Sequence, residues 1–404
     1  MENEKRDLNR RDFLTRAISA MASLGFVNFS GKALASTEPK KKIIYRTLGK
    51  TGIAVPIVNM GVMNTLESVL IKKSYEIGVR LFDTAAHYMR GRNEEMLGNV
   101  IKELNVRDKV ISDTKIFIPH DQRGLPPEQA KVTFLKTMEE SLRRLQTDYV
   151  DILYSHDVYT IEYLNNPGIQ EAFQILKKQG KTRFVGFTTH KNMTECINEA
   201  VRTGYYDVIC TSYNYAMSED KDLLLALKKA AAKGIGLVAM KTQCTQYWYR
   251  QFVSEAGQPF YQGNILHTAV LKWALRNDFI TTTIPGYTTF EQMEEDFSVA
   301  YDLEYTPEEK KFLQDRKVKF SLGYCHQCHR CLPTCPKGVD IPTLMRTHLY
   351  ATCYANFYQA RDTLREVPEG KGLDQCATCS ICTASCINRV DIARRIDELK
   401  AIYG

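Results

Sequence analysis

RLFDTAAHY, residues 80–88, runs from an apolar stretch into an aspartate, and a tyrosine follows five residues later. Two further stretches share this plan. VISDTKIF (110–117) is β-branched and delivers Lys115, and VDILYSH (150–156) ends on His156. Each has the length of a buried strand and is followed by a helical pattern such as PPEQAKVTFLKTMEESLRRLQ (126–146). Working outward, five more runs of the same kind appear: VNMGV (58–62), RFVGFTT (183–189), DVICTSYN (207–214), GLVAMK (236–241) and ITTTIPG (280–286). Short, largely apolar strands alternating with amphipathic helices predict a parallel sheet covered by helices. Eight such units over about 280 residues predict an α/β (β/α)8 TIM barrel. The alternative is an open doubly wound sheet, but no G-x-G-x-x-G follows the first strand. IIYRTLGKTGIAVPIV (43–58) reads as a hairpin ahead of the barrel.

In such barrels chemistry gathers at the C-terminal ends of the strands. Asp83, Tyr88, Lys115 and His156 all fall there, from three consecutive strands. A tyrosine is a poor acid near neutral pH, with an ordinary pKa of about 10. A nearby ammonium favours the phenolate and lowers that value. The expected division of labour follows: Asp83 holds Lys115 charged, Tyr88 passes a proton to a carbonyl oxygen, and His156 orients that oxygen. Each residue also has a structural reading, as a plain ion pair, a core tyrosine or a satisfied buried histidine.

DTAAHY, with TK on the next strand and SH on the one after, resembles the aldo/keto reductases, as do YRTLGKTG in the hairpin and IPG at the end of the eighth strand. The resemblance covers residues 44–320. It implies a nicotinamide-dependent carbonyl reductase acting on a small carbonyl or alcohol, with Asp83, Tyr88, Lys115 and His156 as the catalytic set. It also implies an NAD(P)(H) site at Thr188, Thr189, Cys210, Lys241 and Gly286. There the chain departs from many relatives. Thr188-Thr189-His190 replaces Ser-Asn, Cys210 stands where a glutamine aligns, and Met240-Lys241 stands where an aromatic stacks on the ring. Residues 286–296 hold no lysine or arginine, while Glu291, Glu294 and Glu295 would repel a 2′-phosphate. An NADP preference is accordingly disfavoured. TQCTQYWYRQF (242–252) offers an aromatic wall.

Eight of the twelve cysteines lie in two short windows, CHQCHRCLPTCP (325–336) and CATCSICTASC (376–386). Clustering of this kind points to a metal rather than to disulfides. Cys325, Cys328, Cys331 and Cys335 have the C-x2-C-x2-C-x3-C-P spacing of bacterial [4Fe–4S] sites, and Cys376, Cys379, Cys382 and Cys386 repeat it without the proline. Val-Asp-Ile follows both motifs at the same offset, with the aspartate as a helix N-cap signal. Two [4Fe–4S] clusters are expected in a small, mostly helical ferredoxin-like domain. The fourth cysteine of each motif should ligate the other cluster, as in two-cluster ferredoxins. Zinc ribbons are the alternative. IPTLMRTHLYATCYANFYQARDTL, between the motifs, reads as helical.

Residues 1–35 have a polar start, Arg10-Arg11, a short apolar run and Ala33-Leu34-Ala35, the layout of a cleavable signal. NRRDFLT resembles the twin-arginine consensus, which implies the Tat export machinery as a partner and a periplasmic or extracytoplasmic location. Clusters assembled inside the cell require an exporter of folded proteins, so the two ends of the chain agree. The net charge is +7 but the basic residues are scattered, and no nucleic-acid partner is expected. The expected domains are 1–35, 43–320 and 321–404. The expected activity is an aldo/keto-reductase-type oxidoreductase that exchanges electrons with its clusters and with an outside redox partner protein. Two rivals are a reductase with purely structural clusters and a non-enzymatic electron carrier with a relic barrel.

Overall fold

The computed structural model describes residues 42–118, 122–244 and 265–404. The expected signal segment, residues 1–35, lies outside the described residues, as does most of the expected aromatic wall, from residue 245 onward. Residues 42–404 form one compact unit.

An antiparallel hairpin, β1 (Tyr45–Thr47) and β2 (Ala54–Pro56), precedes eight parallel strands. These are β3 (Met60–Gly61), β4 (Leu81–Asp83), β5 (Ile111–Ile116), β6 (Val150–Ser155), β7 (Thr182–Thr189), β8 (Val208–Ser212), β9 (Gly236–Met240) and β10 (Thr282–Thr283). Their spatial order is their chain order. A parallel bridge between Val58 and Thr283 joins the first strand to the last, supported by Gly61 N donating to Pro285 O at 3.0 Å. Asn59 pins this seam. Its amide donates to Pro56 O at 2.7 Å and Thr282 Oγ1 at 2.9 Å, and its carbonyl accepts from Leu81 N at 2.9 Å. The sheet is thus a near-closed (β/α)8 barrel, with all the expected strands and the hairpin present.

The hairpin fills the N-terminal end. Leu48, Ile53 and Val55 pack on the inward residues Leu81, Ile152, Tyr154, Val208 and Val238. Above them Tyr154 fills the barrel interior over Gly186, where a Cβ would come within 2.7 Å of the Tyr154 ring and 2.3 Å of Val208 O. Apolar packing seals this end, and the polar strand ends lie at the other.

The cysteine-bearing region is helical, as expected. Asp340 caps the helix Ile341–His348 by accepting from Thr343 N at 3.3 Å. Asp391 caps Ile392–Tyr403 by accepting from Arg394 N at 3.1 Å. The stretch expected to be helical between the motifs is interrupted. A π-helical turn, Leu349–Cys353, ends it, and Ala355 takes a left-handed φ of 49°. Asn356 explains the break: its side chain caps the helix Phe357–Leu364 by accepting from Gln359 N at 2.9 Å. The same side chain donates to Met63 O at 3.2 Å and Asn64 Oδ1 at 3.1 Å, on the barrel.

Candidate active site at the barrel mouth and cysteine centre above it

Register places the charged residues together. Asp83, the last residue of β4, pairs with Asp113, and Lys115 lies two residues farther along β5, on the same face as Asp113. The Lys115 ammonium donates to Asp83 Oδ2 at 2.6 Å and to Thr84 O at 2.6 Å, and is 1% exposed. Tyr88 sits in the short turn Tyr88–Gly91, whose Met89 and Arg90 both take left-handed backbone conformations. Such residues cost about 1 kcal/mol or more each, so the loop around the tyrosine is held by its surroundings. Lys115 Nζ lies 5.1 Å from the Tyr88 ring centroid, and the His156 ring packs edge-on to Tyr88 at 5.8 Å. Asp83, Tyr88, Lys115 and His156 therefore converge.

The electrostatics differ from the expectation in one respect. Burial pushes the Tyr88 phenol above its ordinary value, and Lys115, acting in the opposite direction, does not overcome it. The Tyr88 phenol is thereby held protonated, its shift opposite in direction to the expected lowering. Burial works against the charge on Lys115, but Asp83 and then Tyr88 outweigh it and the ammonium is held above its ordinary value. Burial, His87 and Lys115 hold His156 well below the usual histidine range, so it is a neutral imidazole.

Two residues were missed in the sequence. His87 packs 4.8 Å from the His156 ring and 5.0 Å from Tyr88, and burial followed by Lys115 pulls it down to about 4. Asp113 is fully buried, and burial and the neighbouring Asp83 push it well above the carboxylate range. Asp83 Oδ1 and Asp113 Oδ2 each lack another partner. A proton on Asp113, donated to Asp83, satisfies both, because adjacent buried carboxyls cannot both ionise. The two-residue spacing from Asp113 to Lys115 was the available signal.

The candidate nicotinamide residues do not assemble in the same way. Thr188 Oγ1 already accepts from Asp157 N at 2.9 Å, and Thr189 Oγ1 donates to Lys191 O at 2.9 Å. Cys210 is buried among Tyr154 and Val208 in the barrel interior. Lys241 and Gly286 do reach a cavity of about 70 Å³ lined also by Asn64, Asp83, Tyr88 and Tyr354. That is far below the roughly 300–1,000 Å³ usual for small-molecule pockets. Tyr354, from the cysteine-bearing region, forms part of its wall. As placed, the described residues do not fit a nicotinamide dinucleotide.

The cysteine-bearing region sits on this mouth through a buried cation. Arg346 donates to Asp157 Oδ2 at 2.9 Å, meets His190 Nε2 at 2.7 Å and pairs with Glu366. Leu322, Tyr324, Leu349 and Cys353 join the main core of the barrel, in keeping with a packing role for Cys353. None of the eight clustered cysteines forms a disulfide. Cys386 lies near enough to Cys325 and Cys331 for their charges to act on one another, and Cys335 stands in that relation to Cys376. The two loops are tied by Thr334, whose hydroxyl accepts from Ser385 N at 2.9 Å and whose carbonyl accepts from Thr383 Oγ1 at 3.1 Å. Among the described residues, no three His, Cys, Asp or Glu side chains close tightly enough to hold a lone metal ion. Each motif supplies four thiolates at the spacing of a [4Fe–4S] site, one for each iron of a cubane.

Comparison with known proteins agrees with this geometry. Residues 62–246 match the aldo/keto reductase family, and residues 324–391 match a 4Fe-4S dicluster domain. L-galactose dehydrogenase of Arabidopsis thaliana is 29% identical over 293 residues, covering 65% of this chain and 90% of that protein. L-glyceraldehyde 3-phosphate reductase of Escherichia coli (strain K12) is 24% identical over 336 residues, covering 68% and 93%. Among solved structures, the holo form of an aldo-keto reductase from Bacillus halodurans superposes with a TM-score of 0.56 at 22% identity, covering 68% of this chain and 96% of that one.

Proposed function

We propose that this chain, an aldo/keto-reductase-like oxidoreductase with a 4Fe-4S domain on its barrel mouth, interconverts a small carbonyl compound and its alcohol. In this reading Tyr88 is the general acid/base and two [4Fe–4S] clusters exchange electrons with the site. The observation that carries it is the convergence of Asp83, Tyr88, Lys115 and His156 at a cavity that Tyr354 helps to wall.

Tyr88, kept protonated by burial, donates to the carbonyl oxygen as that oxygen gains charge. Lys115, fixed by Asp83, stabilises the phenolate left behind. Neutral His156 orients the oxygen without competing for the proton. Neutral Asp113 hydrogen-bonds Asp83 and keeps it aimed at Lys115. When bound, each cluster would supply one-electron transfer, so two match the two electrons of a carbonyl–alcohol couple; the couple also takes up two protons, Tyr88 giving the one on oxygen and solvent the one on carbon. The second cysteine loop, with Ile381 and Ile387 exposed, is the face for the outside redox partner protein. The domain limits 43–320 and 321–404 follow from this division of labour. Residues 1–35 are read as a twin-arginine signal, which would export the folded, cluster-loaded protein to the periplasm.

Ligation crosses between the motifs: Cys325, Cys328, Cys331 and Cys386 on one cluster, Cys376, Cys379, Cys382 and Cys335 on the other. The double variant Cys325→Ser/Cys386→Ser then damages one cluster and leaves about four irons per chain. Retention of less, with both signals perturbed in electron paramagnetic resonance, would favour ligation within each motif.

Because the cavity does not fit a nicotinamide, no step is assigned to one. An anaerobic titration followed in the visible iron–sulfur band tests this. Dithionite is expected to bleach the band, NADH and NADPH to leave it, and a carbonyl substrate to restore it. Bleaching by either nicotinamide would return that cofactor to the reaction. A second reading, in which the clusters hold a lid, is favoured by the Tyr354 wall and the Arg346 seat. It predicts no recovery of the band with any carbonyl compound that is turned over.

A further inference from the structure

We infer that Lys241 binds an anionic group on the substrate, so that the substrate class is a short carbonyl compound carrying a carboxylate or a phosphate. This rests on the reading of Tyr88 as the proton donor.

Lys241 follows β9 and takes a left-handed φ of 55°, a conformation that lysine rarely adopts. It is held there through its carbonyl, which accepts from Asn214 Nδ2 at 3.1 Å and from the Cys244 thiol at 3.8 Å. The surrounding structure therefore over-determines a strained backbone at a mouth position. Its side chain lines the cavity that also holds Tyr88 and Asp83. Its ammonium lies 5.5 Å from the Tyr350 ring centroid and 3.8 Å from Met240 Sδ.

The other cations nearby are accounted for. Lys115 is spent on Asp83, and Arg346 on Asp157 and Glu366. Lys191 lies 3.9 Å from each of the latter two carboxylates. Among the described residues no carboxylate pairs with Lys241. Asp83, the only acid among the described residues that line the cavity, is neutralised by Lys115. Among the described residues, the cavity lined by Tyr88 thus also has a lysine with no carboxylate partner in its wall. In about 70 Å³, an anion on Lys241 leaves room for only a few atoms between it and a carbonyl at Tyr88. Lys241 also lines a smaller cavity with Cys325, which raises a rival role: balancing the charge of the nearer cluster.

Binding to the full, cluster-loaded protein, measured by anaerobic calorimetry, decides the matter without relying on turnover. The probes are pyruvate against methyl pyruvate, and glyceraldehyde 3-phosphate against glyceraldehyde. At least one anion is expected to bind about tenfold or more tightly than its uncharged partner, as for a charge-assisted contact. Which pair shows the preference identifies carboxylate or phosphate. The preference is expected to vanish in Lys241→Gln and to persist in Lys241→Arg. It should vanish also in Lys241→Gly, which relaxes the left-handed backbone and guards against misfolding as the cause. Failure of both anions to bind, absence of a preference in both pairs, or a preference surviving Lys241→Gly overturns the inference. So does a shifted cluster potential in Lys241→Gln with the anion preference intact, which would establish the rival role. If Tyr88→Phe keeps the preference and normal turnover, the proton-donor reading fails and the anion site stands.

Discussion

Tyr88→Phe is expected to lower carbonyl turnover by about 10²- to 10⁴-fold, the range for losing a positioned general acid. The substitution removes one oxygen and keeps the ring, so the edge-on packing against His156 at 5.8 Å and against His87 at 5.0 Å survives. Lys115 keeps both of its acceptors, Asp83 and Thr84. Thermal stability, iron content and the visible iron–sulfur band should stay as in the parent protein. No neighbouring group can substitute. His156 and His87 are held neutral by burial, and Lys115 is held as an ion-paired ammonium by Asp83. The same arrangement fixes the pH dependence. Tyr88 stays protonated well above neutrality and both histidines stay uncharged, so the parent rate is expected to be flat between about pH 6 and 8. Initial rates over a panel of carbonyl compounds check both statements. Full activity in the variant would remove Tyr88 from the chemistry.

Arg346→Leu is expected to cost about 3–5 kcal/mol, as when one partner of a buried ion pair is removed. Arg346 is 4% exposed and bridges Asp157 on the barrel to Glu366 in the cysteine-bearing region. Without it the buried Asp157 and the partly exposed Glu366 face each other, with Lys191 at 3.9 Å from each. Denaturant unfolding, followed by circular dichroism and by the iron–sulfur band, should show the band lost ahead of the barrel. Arg346→Lys should recover only part of the loss, because an ammonium lacks the planar fork that serves two carboxylates and His190 at once. Adding Asp157→Asn and Glu366→Gln to Arg346→Leu should restore stability by removing the stranded charge. A loss below about 1 kcal/mol in Arg346→Leu would mean that the apolar seat around Leu322, Tyr324 and Leu349 holds the two parts together by itself.

The barrel was legible because its signals are local and repeated. Eight apolar runs alternate with amphipathic helices, and each became a strand in chain order around the ring. The catalytic candidates were legible because a strand end fixes where its last side chain points, and three neighbouring strands each ended on a reactive group. The duplicated Val-Asp-Ile was legible as two helix caps because an N-cap depends on three or four residues of chain.

Other features depend on residues far apart in sequence. Arg346 meets Asp157 across 189 residues, and Asn356 meets Met63 across 293. Nothing in MRTHLY or YANFY marks those side chains as the seat of one part on the other. The direction in which the Tyr88 phenol shifts is opposite to the expectation because sequence placed Lys115 beside it but could not weigh that charge against complete burial. Asp113 was overlooked because a carboxyl in a strand looks like surface until the closed ring buries it beside Asp83. The sequence by itself determined the elements, their order, and which chemical groups reach the mouth, since these follow from periodicity and spacing along the chain. Only the tertiary structure decided what roofs the mouth, how little room remains there, and which charges are left unpaired, because burial and ion pairing arise only when distant segments meet.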